Sequence, residues 1–156
     1  MADDIDSERV RNWLDEELIT GVEHVPDEEA AFNLAVEMSN LVVHVVRRSP
    51  EGPLVVGQQI EYGPDIRDRI AGMEPADRNE LVARLRETLT AASVVYGFHD
   101  ERGANVQFGD VHRVLLERRV YPGSITRQSV MDAVVDVWKL LRYLDDIPAL
   151  LDAVES

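Results

Sequence analysis

Read from its N-terminus, the chain first places its apolar residues at a helical period. Val10, Trp13, Leu14 and Leu18 fall at i, i+3, i+4 and i+8, one face of a 3.6-residue repeat. Ser7 stands where an N-cap is needed and Gly21 where a helix stops. The spacing therefore predicts a helix over residues 7–20. From Phe32 the period becomes two. Phe32, Leu34, Val36 and Met38 alternate with Ala31, Asn33, Ala35 and Glu37, the pattern of a half-buried strand. Ser39-Asn40 reads as a tight turn, and residues 41–48 as a second strand rich in valine. Ser49-Pro50-Glu51-Gly52-Pro53 breaks the chain before a third strand over residues 54–62. Short loops between these strands imply antiparallel pairing.

Helix returns after Gly63-Pro64. Ile66 and Ile70 mark a short piece, and Pro75 fits the first position of a longer helix over residues 75–92. Strands are expected at 93–98 and 111–121. Thr126 caps a helix over 126–143, and Pro148 allows only a brief terminal turn or helix. The resulting order is α-β-β-β-α-β-β-α. Strands and helices are segregated, which predicts one α+β domain over residues 1–156, with helices packed against an antiparallel sheet.

The last long helix is unusually apolar. Val130, Met131, Val134, Val135, Val137, Trp138, Leu140, Leu141 and Leu144 sweep about 220° of its circumference, against about 100° for the helix after Pro75. An arc that wide needs two partners to cover it. One is the sheet; the other is a second subunit or the segment around Leu150 and Leu151. Two-fold homodimers are the commonest soluble oligomers, so a homodimer is expected, with Val137, Leu140 and Leu144 on the docking flank.

Charge narrows the partners. Thirty acidic residues against 16 basic ones give a formal net charge of −14. A chain this acidic is a poor ligand for nucleic acid or an anionic membrane, both of which demand cationic surface. Lys139 is the only lysine among the 16, and the acids run from Asp3 to Glu155 with no acidic tail. This pattern indicates a salt-rich cytoplasm, where a Debye length of about 3 Å at 1 M salt screens carboxylate repulsion. With no cysteine there is neither disulfide nor thiolate, as suits a reducing compartment. No apolar run approaches the roughly 20 residues of a membrane span. The opening Met-Ala-Asp-Asp-Ile-Asp is acidic where a secretory signal is basic. A cytoplasmic location is expected.

Catalytic templates are missing. No Gly-x-Ser-x-Gly elbow, Gly-x-Gly-x-x-Gly loop or Walker lysine occurs, so no catalytic residue and no cofactor is expected. His99, Asp100 and Glu101 are adjacent, a spacing that suits a polar hairpin tip better than a metal site. Lys139 shares a polar helix stripe with Asp132, Asp136 and Tyr143, and an Asp136–Lys139 pair is expected there. The arginines offer more. Arg47-Arg48 and Arg118-Arg119 each place one guanidinium on either face of a strand. Guanidiniums recognise carboxylates and phosphates. Arg47 and Arg118, with the strand histidines His44 and His112, form the candidate set for an anionic ligand.

The element order is similar to that of type III secretion chaperones and related small bacterial α+β proteins. Arg118-Arg119-Val120-Tyr121, then a glycine-containing turn, then Ile125-Thr126 opening a long apolar helix, resembles the C-terminal half of a small archaeal family of unknown function. The resemblance implies a homodimeric protein-binding module and brings no functional residues with it. Two functions follow: a non-enzymatic interaction module, adaptor- or chaperone-like and acting as a homodimer, or a small anionic-ligand-binding protein or enzyme that uses the sheet arginines and a histidine.

Overall fold

The computed structural model of the chain describes residues 4–156. Helices are α1 (Ser7–Trp13), α2 (Pro64–Ala71), α3 (Pro75–Ala91), α4 (Arg127–Asp145) and α5 (Ile147–Glu155). Strands are β1 (Gly21–His24), β2 (Phe32–Met38), β3 (Leu41–Arg47), β4 (Leu54–Glu61), β5 (Val95–His99) and β6 (Arg113–Val120). They form one antiparallel sheet in the order β1-β2-β3-β4-β6-β5, so the α+β class is as expected. Among the described residues no helix is long and apolar enough to cross a membrane.

Two compact units divide the chain. One takes the residues up to Gln58 together with Glu117–Lys139; the other takes Gln59–Leu116 and Leu140–Ser156.

The first unit is built on the β2–β3 hairpin. Ser39 and Asn40 turn it with φ of 48° and 67°, the left-handed pair that matches the twist of the flanking strands. Register runs from Phe32 opposite Arg47 to Met38 opposite Leu41. One face carries the buried Phe32, Leu34, Val36, Val43 and Val45. The first two-thirds of α4 serves this core with Val130, Ala133, Val134 and Val137. Thr126 and Ser129 cap α4 reciprocally. Thr126 Oγ1 accepts from the Ser129 N–H at 3.1 Å, and Ser129 Oγ accepts from the Thr126 N–H at 2.9 Å. Trp138 Nε1 donates to the Met38 carbonyl at 2.8 Å, fixing the helix to the end of β2.

The N-terminal helix is shorter than its spacing predicts. Asp6, not Ser7, is the cap, with its carboxylate 2.9 Å from the Arg9 N–H. Val10 and Leu14 are buried, but Leu18 is 48% exposed. The backbone is already extended at Leu14, with ψ of 131°, and Asp15 then accepts from the Glu17 N–H at 2.8 Å in a side-chain turn. Gly21, read as a helix stop, instead opens β1, which pairs with β2 from Gly21 opposite Glu37 to His24 opposite Leu34.

In the second unit α3 and α5 pack together. Leu81, Leu85 and Leu89 of α3 and Ile147, Leu151 and Val154 of α5 are buried. Arg69 of α2 reaches α5, donating to Asp152 at 2.6 Å and Glu155 at 3.2 Å. The Tyr62 hydroxyl is buried and donates to the Leu144 carbonyl at 3.0 Å. Burial above all, then the charges of Asp145 and Tyr143, hold this phenol well above its ordinary pKa. It stays protonated as a donor. Phe98 and Phe108 meet edge to face at 5.1 Å beneath the loop that joins β5 to β6.

Candidate functional site

The four residues expected to bind an anion have four separate sets of partners. Arg47 shares the inner face of β3 with Val43 and Val45, and only 1% of it is exposed. Its Nε donates to the Gly52 carbonyl at 3.1 Å and its Nη1 to the Ile5 carbonyl at 3.2 Å. Through these two bonds it ties the β3–β4 turn to the segment before α1. Arg118 lies on the helix-covered face of β6 and forms an ion pair with Asp136 of α4. Asp136 is thus paired with Arg118, not with Lys139 as the helix spacing suggested.

His44 projects from the opposite face of β3, half-buried, with Nδ1 3.3 Å from the Asn33 side-chain oxygen. Burial lowers its pKa and favours the neutral ring. His112 belongs to the second unit and precedes β6 by one residue. Its backbone N–H donates to His99 at 2.8 Å, its carbonyl accepts from Tyr62 at 2.9 Å, and Arg67 Nη1 lies 3.1 Å from its Nδ1. Of Arg47, Arg118, His44 and His112, the first three make these contacts within the first unit and His112 makes its contacts within the second. The contacts described for both arginines go to groups of the first unit itself.

The flank expected to dock is buried within the single chain. Val137, Leu140 and Leu144 are 0%, 5% and 0% exposed within the single chain. Leu151 is also fully buried, so the wide apolar arc of α4 is covered by the chain itself at these positions. At the β5–β6 loop, Asp100 accepts from the Ala104 N–H at 3.0 Å and from the Arg102 N–H at 2.9 Å. The Ala104 bond above all holds its carboxyl below the usual range. That is a loop-shaping role. Among the described residues no group of three or more His, Asp and Glu side chains is placed to hold a metal ion.

Two surfaces of the first unit stand out instead. The first is a groove of about 610 Å³ between α1 with its following turn and α4. Trp13, Leu18, Met131 and Val135 give it apolar walls, and Asp15, Asp132, Arg127 and Lys139 line it with both charges. The second is the outer face of the sheet. An antiparallel strand with one face in water normally alternates apolar with polar residues. β3 does not: Val42, His44 and Val46 occupy the outer positions between the buried Val43 and Val45. Across the ladder His44 faces Ala35 and Gly57, and Val46 faces Val55. Where β3 turns into β4, Val46 and Val55 open into a hollow of about 280 Å³ rimmed by Arg48, Glu117 and Arg119. At the other end of the patch Glu37 lies opposite Val42 and is exposed.

The open antiparallel sheet with helices packed against it defines a small α+β protein. The chain belongs to the family described as uncharacterized conserved protein (DUF2299), whose model matches residues 6–147. No curated protein matches it. Among solved structures it is similar to an uncharacterized protein from Methanothermobacter thermautotrophicus, at 16% identity and a TM-score of 0.73, over 96% of this chain and 99% of that one. At that identity the likeness establishes the fold.

Proposed function

We propose that the protein is a non-enzymatic interaction module that pairs with a second copy of itself through the outer face of the sheet. The observation that carries this reading is the patch of Val42, Val46, Val55 and Ala35 around His44, where a solvated strand face would be polar. The patch is also polar end to end. Arg48 stands by Val46 and Val55, where Arg119 is paired with Glu117 at 2.6 Å, and Glu37 stands by Val42. A two-fold axis that stacks two such faces with β3 running in opposite directions sets each basic end on the other's acidic end. In this reading the dimer is adaptor- or chaperone-like, and the groove with Trp13 and Leu18 takes an apolar segment of another protein.

Light scattering at high salt tests the pairing. The wild type is expected to run as a dimer at high micromolar concentration, and Val46→Lys as a folded monomer, because the substitution places a charge on an outer-face position and leaves the core intact. A monomeric wild type, or a Val46→Lys protein that remains dimeric, overturns it.

The acid excess and single lysine further support a salt-rich cytoplasm as the working environment. Lowering salt from about 1 M to about 0.01 M lengthens the Debye length from roughly 3 to 30 Å and exposes carboxylates to one another's repulsion. The melting temperature is expected to fall on that change. Melts that stay put or rise as salt is removed count against this adaptation.

A further inference from the structure

The second unit holds a cleft of about 510 Å³ between α3 and the loop that leads into β6. Its lining differs from the rest of this acidic chain. Arg78, Asn79, Val82 and Arg86 come from α3, and Gln107, Phe108, Gly109 and Asp110 come from the loop. On the helix these four fall at i, i+1, i+4 and i+8, an arc of about 100°. Two guanidiniums face one carboxylate in the lining, in a protein whose acids outnumber its bases by nearly two to one.

Arg78 is held in place. Its Nε donates to the Ile70 carbonyl at 3.2 Å, and its Nη2 to those of Ala71 at 2.6 Å and Met73 at 3.3 Å. These bonds close the C-terminal end of α2 and fix the guanidinium plane. Nη1 makes no hydrogen bond among the described residues and lies against Gly109, where an added Cβ would sit 3.4 Å from it. Arg86, two turns along, is exposed and its side chain has no partner among the described residues. One cation is therefore fixed and aimed, and the second is free to close on a ligand. Eight residues of helix separate their Cα atoms by about 12 Å.

We infer that this cleft binds a small organic oxyanion, a molecule bearing phosphate or carboxylate groups. Nη1 of Arg78 takes one oxygen, and Arg86 folds over to take another. The Asn79 and Gln107 amides supply neutral donors beside them, and Val82 provides an apolar wall for the rest of the molecule. A volume of this size suits a ligand larger than a bare ion. The inference is independent of the pairing proposed above, because it uses none of the residues of the outer sheet face.

Calorimetric titration at constant ionic strength tests it, with pyrophosphate and citrate as probes. Saturable binding of at least one probe to the wild type is expected, and the one that binds assigns the head group. Arg86→Glu is expected to weaken it about tenfold to hundredfold, the loss of a charge-assisted hydrogen bond. Arg84→Glu makes the same change of charge on α3 at a position that pairs with Glu80 and does not line the cleft, and is expected to bind like the wild type. Absence of saturable binding of both probes up to about 10 mM, ten times a Kd of ~1 mM, overturns the inference. So does an equal loss in Arg84→Glu, which reports bulk charge and no site.

Discussion

Replacing Arg47 with alanine is expected to destabilise the protein by about 3–5 kcal/mol, through lost hydrogen bonds and the void left by a large side chain. The side chain is 1% exposed and donates to the carbonyls of Gly52 and Ile5. Truncation leaves the carbonyls of half-buried Gly52 and Ile5 without these donors. Arg47→Lys is expected to recover little, because an ammonium cannot reproduce the planar fork that reaches two separated carbonyls. Thermal melting checks both variants: for a chain of this size the alanine substitution corresponds to a fall of about 10 °C or more. A melt unchanged by Arg47→Ala contradicts a structural role for this residue.

A larger loss is expected from Val137→Asp combined with Leu140→Asp. Both side chains are buried, at 0% and 5% exposure. Each substitution sets a carboxyl group among apolar neighbours, where it must either stay charged at high cost or take up a proton. Two such changes together approach the whole stability of a typical domain, about 5–15 kcal/mol. The double variant is expected to lack a cooperative thermal transition and to show no native near-ultraviolet dichroism at 25 °C. A folded double variant refutes the burial of these residues and returns the α4 flank as a docking surface. The contrast with Val46→Lys is diagnostic: one substitution is expected to unfold the chain and the other only to separate subunits.

Much of the fold is legible in the chain because period and punctuation agree there. β2 alternates without interruption, Ser39-Asn40 turns it, and Pro64 and Pro75 stand at the first positions of α2 and α3. Near α1 a coincidence of spacing misleads. Leu18 is in phase with Val10 and Leu14, yet the backbone leaves the helix at Leu14 and turns at Asp15 before that phase matters. β1 is missed because Gly-Val-Glu-His is too short to display a period, and it is held by its ladder to β2.

The candidate site was less legible. Arg47 sits in phase with Val43 and Val45, so the alternation of β3 already assigns it to the core face. Charge alone makes it look like a surface group. The outer-face valines were visible as a run, but a run of β-branched residues does not say which face a helix covers. Arg78 and Arg86 carry no signal at all in a helix where charged residues are the rule. Only the loop with Gly109, brought against α3 by folding, distinguishes them from a solvated stripe.

Lys139 lines the groove beside Trp13 and Leu18, and it is the only lysine in the chain. Away from the α-amino group, amine chemistry therefore has one address. An acylating dye attached there reads out the groove without mutagenesis, and Trp13 in the same lining offers a quencher or energy donor close to the label. Because the chain has no cysteine, a thiol introduced anywhere else adds a second, chemically orthogonal handle. Occupancy of the groove and movement of any other element thus become separately observable in one molecule.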